Sequence, residues 1–326
     1  MAPAPARPGR PPRRLRHGAP VPPPGRGRGV ASLRPLPRPP AAPGAPGDEP
    51  LGRPRRRAEG DGEPRAVREP AYSVLASRYD EAYAPWREVL SASRDELLRR
   101  FGIGTDHVLD AGCGSGWQSL ELARRGSRVV AVDPVPYFVR ALARKARRER
   151  LAVKAREGAL PSLPLRASER FDLVLVTFDV LNHLPRKADL GPALASVARA
   201  LAPGGHALLD LVTPAALASF ADHHRVTFFG DGAVSAESGR YDAATGRGTL
   251  TRDWFLPARG RGARTGATHR RVREAYREIA WEKEEVREAL RSAGLVTRLF
   301  ADASGWLSIV PRGTRWILVA RLGTRG

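Results

Sequence analysis

One glycine-rich segment of the chain has a spacing that suits a nucleotide-like ligand. It reads Val-Leu-Asp-Ala-Gly-Cys-Gly-Ser-Gly over residues 108–116. An apolar strand is predicted to end at Asp110, and the turn before the next helix contains Gly112, Gly114 and Gly116. Glycine lets the backbone approach a ligand closely, and a helix N-terminus offers free N–H groups. The segment therefore predicts a binding site where a strand passes into a helix.

Two familiar nucleotide sites fit this segment poorly. A dinucleotide fingerprint needs its third glycine where this chain has Trp117, so the pyrophosphate geometry is lost. A Walker loop is excluded because no Gly-Lys-Ser/Thr follows. The next apolar run, Ala131-Val132-Asp133, ends on an acidic residue 21 positions after Gly112. A carboxylate there can accept hydrogen bonds from both hydroxyls of a ribose, so the two features together predict recognition of an adenosine-like ligand.

The elements around these residues alternate between strand and helix patterns. Helical stretches are predicted at about 117–125, 136–149 and 189–201, and short apolar runs separate them: Val108-Leu109, Val129–Val132, Leu151–Val153, Phe171–Val176 and His206–Val212. This alternation predicts an α/β fold with a doubly wound, mostly parallel sheet whose strands are buried. Apolar residues at helical spacing from Tyr72 to Phe101 predict N-terminal helices packed on that core.

The alternation of strand and helix patterns ends at about Thr213. Period-2 segments at His224–Phe229, Thr249–Leu256 and Arg271–Ala280 predict an antiparallel insert over about 222–281. A helix at Glu282–Ala293, ended by Gly294, and two strands at about 295–301 and 315–321 complete the pattern.

Over roughly residues 72–322 the sequence resembles the class I S-adenosylmethionine-dependent methyltransferases, which have a Rossmann-like seven-stranded sheet. Beside 108–116 and Asp133, the matching segments are Phe-Asp-Leu-Val-Leu-Val-Thr-Phe-Asp at 171–179 and Leu-Ala-Pro-Gly-Gly at 201–205. The resemblance implies S-adenosyl-L-methionine as the cofactor. It implies that Asp110 braces the loop, that Asp133 binds the ribose, and that three glycines pack under the methionine part: Gly112, Gly114 and Gly116.

The chain departs from the family pattern at one cofactor contact. Many members have Gly-Asp-Ala before a Leu-Pro pair, but this chain has Gly158-Ala159-Leu160 before Leu163-Pro164. The carboxylate that often meets the adenine amino group is therefore missing. Glu157 or a backbone carbonyl are the two alternatives for that contact, and the sequence does not choose between them.

The loop after the fourth strand contains the candidate catalytic residues. The segment Phe-Asp-Val-Leu-Asn-His-Leu-Pro, 178–185, resembles the corresponding loop of small-molecule N-methyltransferases of the glycine N-methyltransferase type, as does the run Tyr-Asp-Glu-Ala-Tyr at 79–83. Asp179 would bind a cationic amine or brace the loop. His183 would act as a base, orient the acceptor, or bond to backbone. Tyr79 and Tyr83 are expected to pack rather than to contact substrate.

Three further groups of residues are predicted to have structural roles. Cys113 is expected to be a small buried residue of the turn rather than a nucleophile. No metal is predicted, because His223 and His224 would point to opposite faces of a strand and no further ligand lies at metal-binding spacing. The densest basic patch of the predicted domain is expected to be a solvated loop; it comprises Arg259, Arg261, Arg264, Arg270, Arg271 and Arg273.

Composition separates a tail from the domain. The 326 residues include 55 Lys+Arg and 34 Asp+Glu, a net charge of +21, and residues 1–70 hold 15 Arg, 6 acidic residues and 19 of the 30 prolines. Because this segment has few large apolar groups, their burial cannot offset the conformational entropy lost on folding. Residues 1–70 are therefore predicted to be a disordered tail and 71–326 the methyltransferase domain. No apolar run is long enough to span a membrane. With one cysteine and no targeting signal, a cytoplasmic location is expected.

The sequence favours methylation of a small molecule, at nitrogen or oxygen, by direct displacement. The insert at 222–281 would cover the acceptor pocket as a lid. One alternative is an RNA or protein methyltransferase that uses the basic tail and patch. Nucleic acid is the less favoured partner, because the patch has no aromatic stacking residue and only 4 of the 55 basic residues are lysine. The other alternative is a non-catalytic protein that binds an adenosine ligand. The sequence fixes neither the acceptor nor the oligomeric state.

Overall fold

The computed structural model describes residues 67–257, 269–307 and 310–323. A two-residue strand, β1 (Val67–Arg68), precedes the predicted N-terminal helices, α1 (Tyr79–Ala82) and α2 (Ala84–Phe101). Helix α2 ends at Gly102, which has a left-handed conformation with φ 61°. A glycine adopts this conformation without the steric cost that a side chain would add, so the chain can turn toward the core.

Strands and helices then alternate as the apolar pattern predicts. They are β2 (His107–Ala111), α3 (Trp117–Arg124), β3 (Arg128–Asp133), α4 (Pro136–Glu149), β4 (Val153–Glu157), β5 (Phe171–Val176), α5 (Leu190–Ala200) and β6 (Leu201–Val212). Strands β2, β3 and β5 are almost wholly buried. Their near-continuous apolar sequences reflect a sheet that is covered on both faces.

The C-terminal half supplies a second sheet and completes the first. Its elements are α6 (Pro214–Ala218), β7 (His224–Phe228), β8 (Val234–Asp242), β9 (Arg247–Pro257), β10 (His269–Ile279), α7 (Lys283–Ser292), β11 (Leu295–Asp302) and β12 (Arg315–Leu322). Helix α7 has a capping box between Glu282 and Glu285, and Gly294 follows it with φ 74°. The predicted helix end is therefore confirmed.

Within the described residues the main sheet has seven strands in the order β11-β12-β6-β5-β2-β3-β4. The five strands from β6 to β4 are parallel, and β12 and β11 are antiparallel additions. This confirms the predicted doubly wound, mostly parallel α/β sheet. The order reverses between β2 and β5, and ligands of open α/β sheets bind beyond the carboxyl ends of strands at such a point.

The second sheet has the order β1-β10-β9-β8-β7, and its β7–β10 part is the predicted antiparallel insert. Strand β8 has no counterpart in the sequence prediction. Its inward positions include the buried polar residues Ser235 and Glu237, so its hydrophobic pattern is weak. Strand β4 begins at Val153 rather than at the predicted Leu151, and it pairs with β3 as a partly exposed edge strand.

Part of the predicted tail and basic patch lies outside the described residues. This applies to residues 1–66 and to Arg259, Arg261 and Arg264. In the described part of the patch, Arg273 and Arg271 both donate hydrogen bonds to the Asp253 carboxylate, at 2.7–2.9 Å and 3.2 Å. Among the helices that the structure describes, none is long and apolar enough to cross a membrane.

Candidate active site

The glycine-rich turn between β2 and α3 forms one wall of a cavity. Gly112, Gly114 and Gly116 have φ values of 84°, 52° and 80°. A Cβ atom at Gly112 would collide with Val180, and one at Gly116 would collide with Leu142. At Gly114 the nearest atom would be 3.7 Å away, on the Tyr79 ring, and this glycine faces the cavity. The three glycines therefore differ in role: Gly114 leaves space for a ligand, whereas Gly116 allows α3 and α4 to pack closely.

Asp110 lies below the turn and does not line the cavity. Its Oδ2 accepts a hydrogen bond of 2.6 Å from the Ser119 hydroxyl at the start of α3. Burial raises the pKa of Asp110 to about 6, although the Ser119 hydrogen bond acts in the opposite direction. The side chain thus joins strand β2 to helix α3, and the bracing role that the resemblance implies for it stays a prediction.

Asp133 ends β3 at the rim of the same cavity. Its Oδ2 accepts from the Gly114 N–H at 2.8 Å, and its Oδ1 accepts from the Val135 N–H at 2.9 Å. Burial raises the pKa of this carboxyl to about 6, while the two N–H donors lower it. Each carboxylate oxygen retains acceptor capacity, so Asp133 can still bind ligand hydroxyl groups.

The cavity has about 880 Å³ of empty space, including its open mouth. Aromatic side chains form much of its wall: Tyr72, Tyr79, Trp117, Phe138 and Phe178. Ala159 and Leu160 also line it, at the place where the family pattern has a carboxylate, whereas Glu157 is not among the lining residues. Cys113 is a buried lining residue, and burial raises the pKa of its thiol.

A second, smaller compartment of about 290 Å³ adjoins the cavity and has polar walls. Tyr72 and His183 line both spaces. The other lining residues come from the loop after β5, from the N-terminal region and from the second sheet: Tyr83, Asp179, Leu250, Arg252, Tyr276 and Glu278. The second sheet therefore contributes part of the wall of this compartment, and its role as a lid stays a prediction.

An ion-pair network fixes the loop that carries Asp179. Arg315 donates hydrogen bonds to Asp179 Oδ1 at 2.7 Å and to Asp210 Oδ1 at 2.6 Å. The Asp210 carboxylate also accepts from the backbone N–H groups of Phe178 and Asp179, at 2.7 Å and 2.8 Å. Both of these residues have positive φ, 66° and 58°. The bonds to Asp210 compensate for that strained conformation and direct the loop toward the site.

His183 lies between Tyr72 and Asp179. Its Nδ1 is 3.3 Å from the backbone carbonyl of Arg277 on β10. Because a carbonyl can only accept, this contact places the proton of a neutral His183 on Nδ1. Nε2 lies 3.3 Å from the Tyr72 hydroxyl and 3.7 Å from Asp179 Oδ2. The two predicted catalytic residues therefore lie close together, His183 at the border between the two spaces and Asp179 in the wall of the smaller one.

Several residues of the second compartment were missed by the sequence analysis, and Glu278 is the most notable of them. Its pKa is raised to about 8 by burial and then by the nearby Asp179 charge, with Arg315 acting in the opposite direction. The only signal in the sequence is the alternation Glu274, Tyr276, Glu278 along β10, which places three polar groups on one face of the strand.

Asp179, His183 and Glu278 each present a ligand atom, and these atoms lie within 4.8 Å of one another. Such a group can hold a cation. These three residues were not brought together in the sequence analysis, because Glu278 is distant in sequence from the other two. The absence of a metal stays a prediction. His223 is not part of this group, since its Nε2 lies 3.1 Å from Glu237 Oε2.

The chain resembles methyltransferases in sequence and in structure. Residues 108–205 match the family model described as a methyltransferase domain. A ubiquinone biosynthesis O-methyltransferase from Xanthomonas oryzae pv. oryzae is 31% identical over 152 residues, which cover 45% of this chain and 62% of that protein. The chain therefore matches less than two thirds of that relative's length.

Two solved structures support the assignment of the fold. An S-adenosylmethionine-dependent methyltransferase from Clostridium acetobutylicum ATCC 824 has a TM-score of 0.61 and 20% identity, covering 78% of this chain and 99% of that one. A sugar N-methyltransferase from Streptoalloteichus sp ATCC 53650 has a TM-score of 0.57 and 19% identity, covering 85% and 100%. The chain therefore has the fold of S-adenosylmethionine-dependent methyltransferases, and residues 108–205 within it match a methyltransferase domain.

Proposed function

We propose that this protein transfers a methyl group from S-adenosylmethionine to a small-molecule acceptor. The observation that carries the proposal is the pair of adjoining spaces, one lined by the glycine turn and Asp133 and the other by polar side chains. A transferase needs two binding sites that meet at the reacting atoms. Tyr72 and His183 line both spaces, and they mark the place where the two ligands would meet.

The larger cavity fits the cofactor. A side chain at Gly114 would project toward Tyr79 into the open cavity, so this glycine leaves room for a ligand against the backbone. Asp133 would hold the ribose hydroxyls, and the aromatic and apolar wall around Phe138 and Leu160 would cover the adenine. When bound, the cofactor supplies a methyl group on a sulfonium, which is an electrophile with a good leaving group.

The protein's contribution to such a displacement is mainly the positioning of the acceptor. The Asp179–Arg315–Asp210 network fixes one wall of the polar compartment, and His183 is held against the β10 backbone. A reacting pair that is held in line reacts as though its effective concentration were very high. The second sheet covers the compartment and limits the access of water to the acceptor.

The size of the polar compartment and the nature of the relatives both favour a small acceptor. The compartment has about 290 Å³ of empty space, which suits a small polar molecule rather than a polymer segment. The relatives include an O-methyltransferase of ubiquinone biosynthesis and a sugar N-methyltransferase. The roles of Asp179 and His183 as catalytic residues, and of Asp110, Gly112, Gly114, Gly116 and Asp133 in holding the cofactor, belong to this proposal.

Formation of S-adenosylhomocysteine by the full chain tests the proposal. The protein is incubated with S-adenosylmethionine and a panel of small amines, phenols and aminosugars, and a parallel sample receives RNA. The proposal predicts product that depends on a small acceptor. Cofactor binding without turnover on any panel member would favour the binding-protein alternative, and turnover on RNA alone would favour a nucleic-acid substrate.

A further inference from the structure

The second sheet presents one polar face to the smaller compartment. In the β9–β10 register, Leu250 lies opposite Tyr276 and Gly248 lies opposite Glu278. Alternation along the two strands places Leu250, Arg252, Tyr276 and Glu278 on the same face. All four side chains line the compartment. The substrate-facing surface of the sheet therefore carries charged groups where a closed core would have apolar ones.

Glu278 has an unmet hydrogen-bonding requirement. The residue is only 7% exposed, and within the described part of the chain its Oε2 has no hydrogen-bond partner. The other buried acid on this face, Glu274, is fully satisfied: it accepts from the Val74 N–H, the Trp254 indole and the Tyr276 hydroxyl. An unpaired buried carboxylate oxygen is costly to the fold, so its natural partner is a donor that arrives with a ligand.

The charges around the compartment indicate what kind of donor this is. Arg252 is the guanidinium group that lines the compartment, and its Nη2 donates to Glu237 at 2.6 Å, while its Nε and Nη1 have no partner within the described residues. Arg315 does not line the compartment and is bound to Asp179 and Asp210. The carboxylates in and next to the compartment, Asp179, Asp210, Glu237 and Glu278, therefore outnumber these two guanidinium groups. Glu278 adds a further acidic group beside Asp179. A site with this surplus of carboxylates binds a protonated amine better than a neutral hydroxyl of the same size.

We propose that the methyl acceptor is an amine and that Glu278 is the residue that binds the amine and accepts its proton. This inference rests on the proposed function. With Glu278 in its ionised form, the ammonium group of the acceptor donates to Oε2 and transfers one proton to it, which leaves a free lone pair on nitrogen. The nitrogen then forms a bond to the methyl carbon, and the carbon–sulfur bond breaks with its electron pair kept by sulfur. The product is a methylated ammonium, and Glu278 later releases its proton to water.

Matched probes test this assignment without knowledge of the natural acceptor. Cyclohexylamine and cyclohexanol have the same ring and differ in one group. Their binding to the full chain loaded with S-adenosylhomocysteine is measured at about pH 9, above the Glu278 pKa of about 8, by ligand-observed NMR for the wild type, Glu278→Gln and Glu284→Gln. Glu284 is an exposed acid on α7 whose side chain is 76% exposed, so its substitution is the matched control. The affinity of each protein for S-adenosylhomocysteine is measured alongside.

We expect the wild type and Glu284→Gln to bind the amine about tenfold more tightly than the alcohol, the effect of one charge-assisted hydrogen bond. Glu278→Gln should lose that preference and keep its affinity for S-adenosylhomocysteine. Equal binding of the two probes, no binding of the amine, or a preference that survives in Glu278→Gln would overturn the assignment. So would a stoichiometric divalent metal that Glu278→Gln loses, because the cation would then occupy these atoms. Failure of the wild type to bind S-adenosylhomocysteine would instead refute the proposed function.

Discussion

The phenol oxygen of Tyr72 lies 3.3 Å from Nε2 of His183, and these two side chains line both the cofactor cavity and the polar compartment. Tyr72 reaches this position from a left-handed backbone conformation with φ 67°. Its ring packs against Tyr276 of the second sheet and Phe138 of α4. The segment before α1 thus joins the two sheets at the point where methyl transfer would occur.

Removal of the Tyr72 hydroxyl should affect turnover more than cofactor binding. Tyr72→Phe keeps the ring contacts but removes the hydroxyl beside His183 Nε2. The hydrogen bond that orients the imidazole, worth about 1 kcal/mol, is then lost. We expect kcat with an acceptor from the panel to fall about fivefold, while the Kd for S-adenosylmethionine changes little. Tyr137→Phe, at an exposed position on α4, is the control. A variant with unchanged kcat and weakened cofactor binding would contradict this role.

The glycines of the turn should separate into two classes. Gly116→Ala places a Cβ against Leu142 at a positive φ, so it should lower the free energy of unfolding by more than the roughly 1 kcal/mol expected for backbone strain alone. Gly114→Ala meets no atom closer than 3.7 Å, so it should cost only that strain and mainly weaken cofactor binding. Urea unfolding and calorimetric titration distinguish the two effects. Equal losses of stability would contradict the difference in packing.

Arg315 should be essential to the stability of the loop after β5. Its side chain is 11% exposed and binds two carboxylates, so Arg315→Met would leave the half-buried Asp179 and the buried Asp210 without their counter-charge. Breaking a buried pair in this way costs about 3 to 5 kcal/mol. We expect that loss in urea unfolding at neutral pH. Arg291→Met on the surface of α7 should change stability by less than about 1 kcal/mol.

Glu278 should give the fold an unusual dependence on pH. Its folded pKa is raised from 4.5 to about 8, so between these values the folded state binds more protons than the unfolded state. The contribution of this group to the free energy of unfolding therefore falls as the pH rises from about 4.5 to about 8. Glu278→Gln should remove that decline. Its stability relative to the wild type should therefore increase from about pH 6, below the folded pKa, to about pH 9, above it. Parallel stability curves for the two proteins would contradict the raised pKa.

The position of the glycine turn and Asp133 at one cavity could be predicted from the sequence because the signals are local. The glycine turn, Asp110 and Asp133 each follow an apolar strand, and the parallel sheet brings the strand ends together. Asp179 and His183 belong to one loop after β5, so their proximity also followed from the chain order.

The acceptor side could not be predicted in the same way. Arg252 and Glu278 reach the compartment only through the β9–β10 register and the docking of the second sheet on the first. Arg315 meets Asp179 across 136 positions, and its strand reads as an ordinary apolar element. Strand β8 was missed because buried polar residues interrupt its hydrophobic pattern. Contacts of this kind depend on tertiary structure that no local spacing encodes.

Calorimetric titration of the full chain with S-adenosylmethionine tests the central claim most directly. Asp133→Ala is titrated beside the wild type, and Asp222→Ala, at an exposed position before β7, is the control. We expect micromolar binding by the wild type and the control, and a loss of at least about 1 kcal/mol in Asp133→Ala, the contribution of a charged hydrogen bond. Absence of binding by the folded wild type, or equal affinity in Asp133→Ala, would contradict the cofactor site described above.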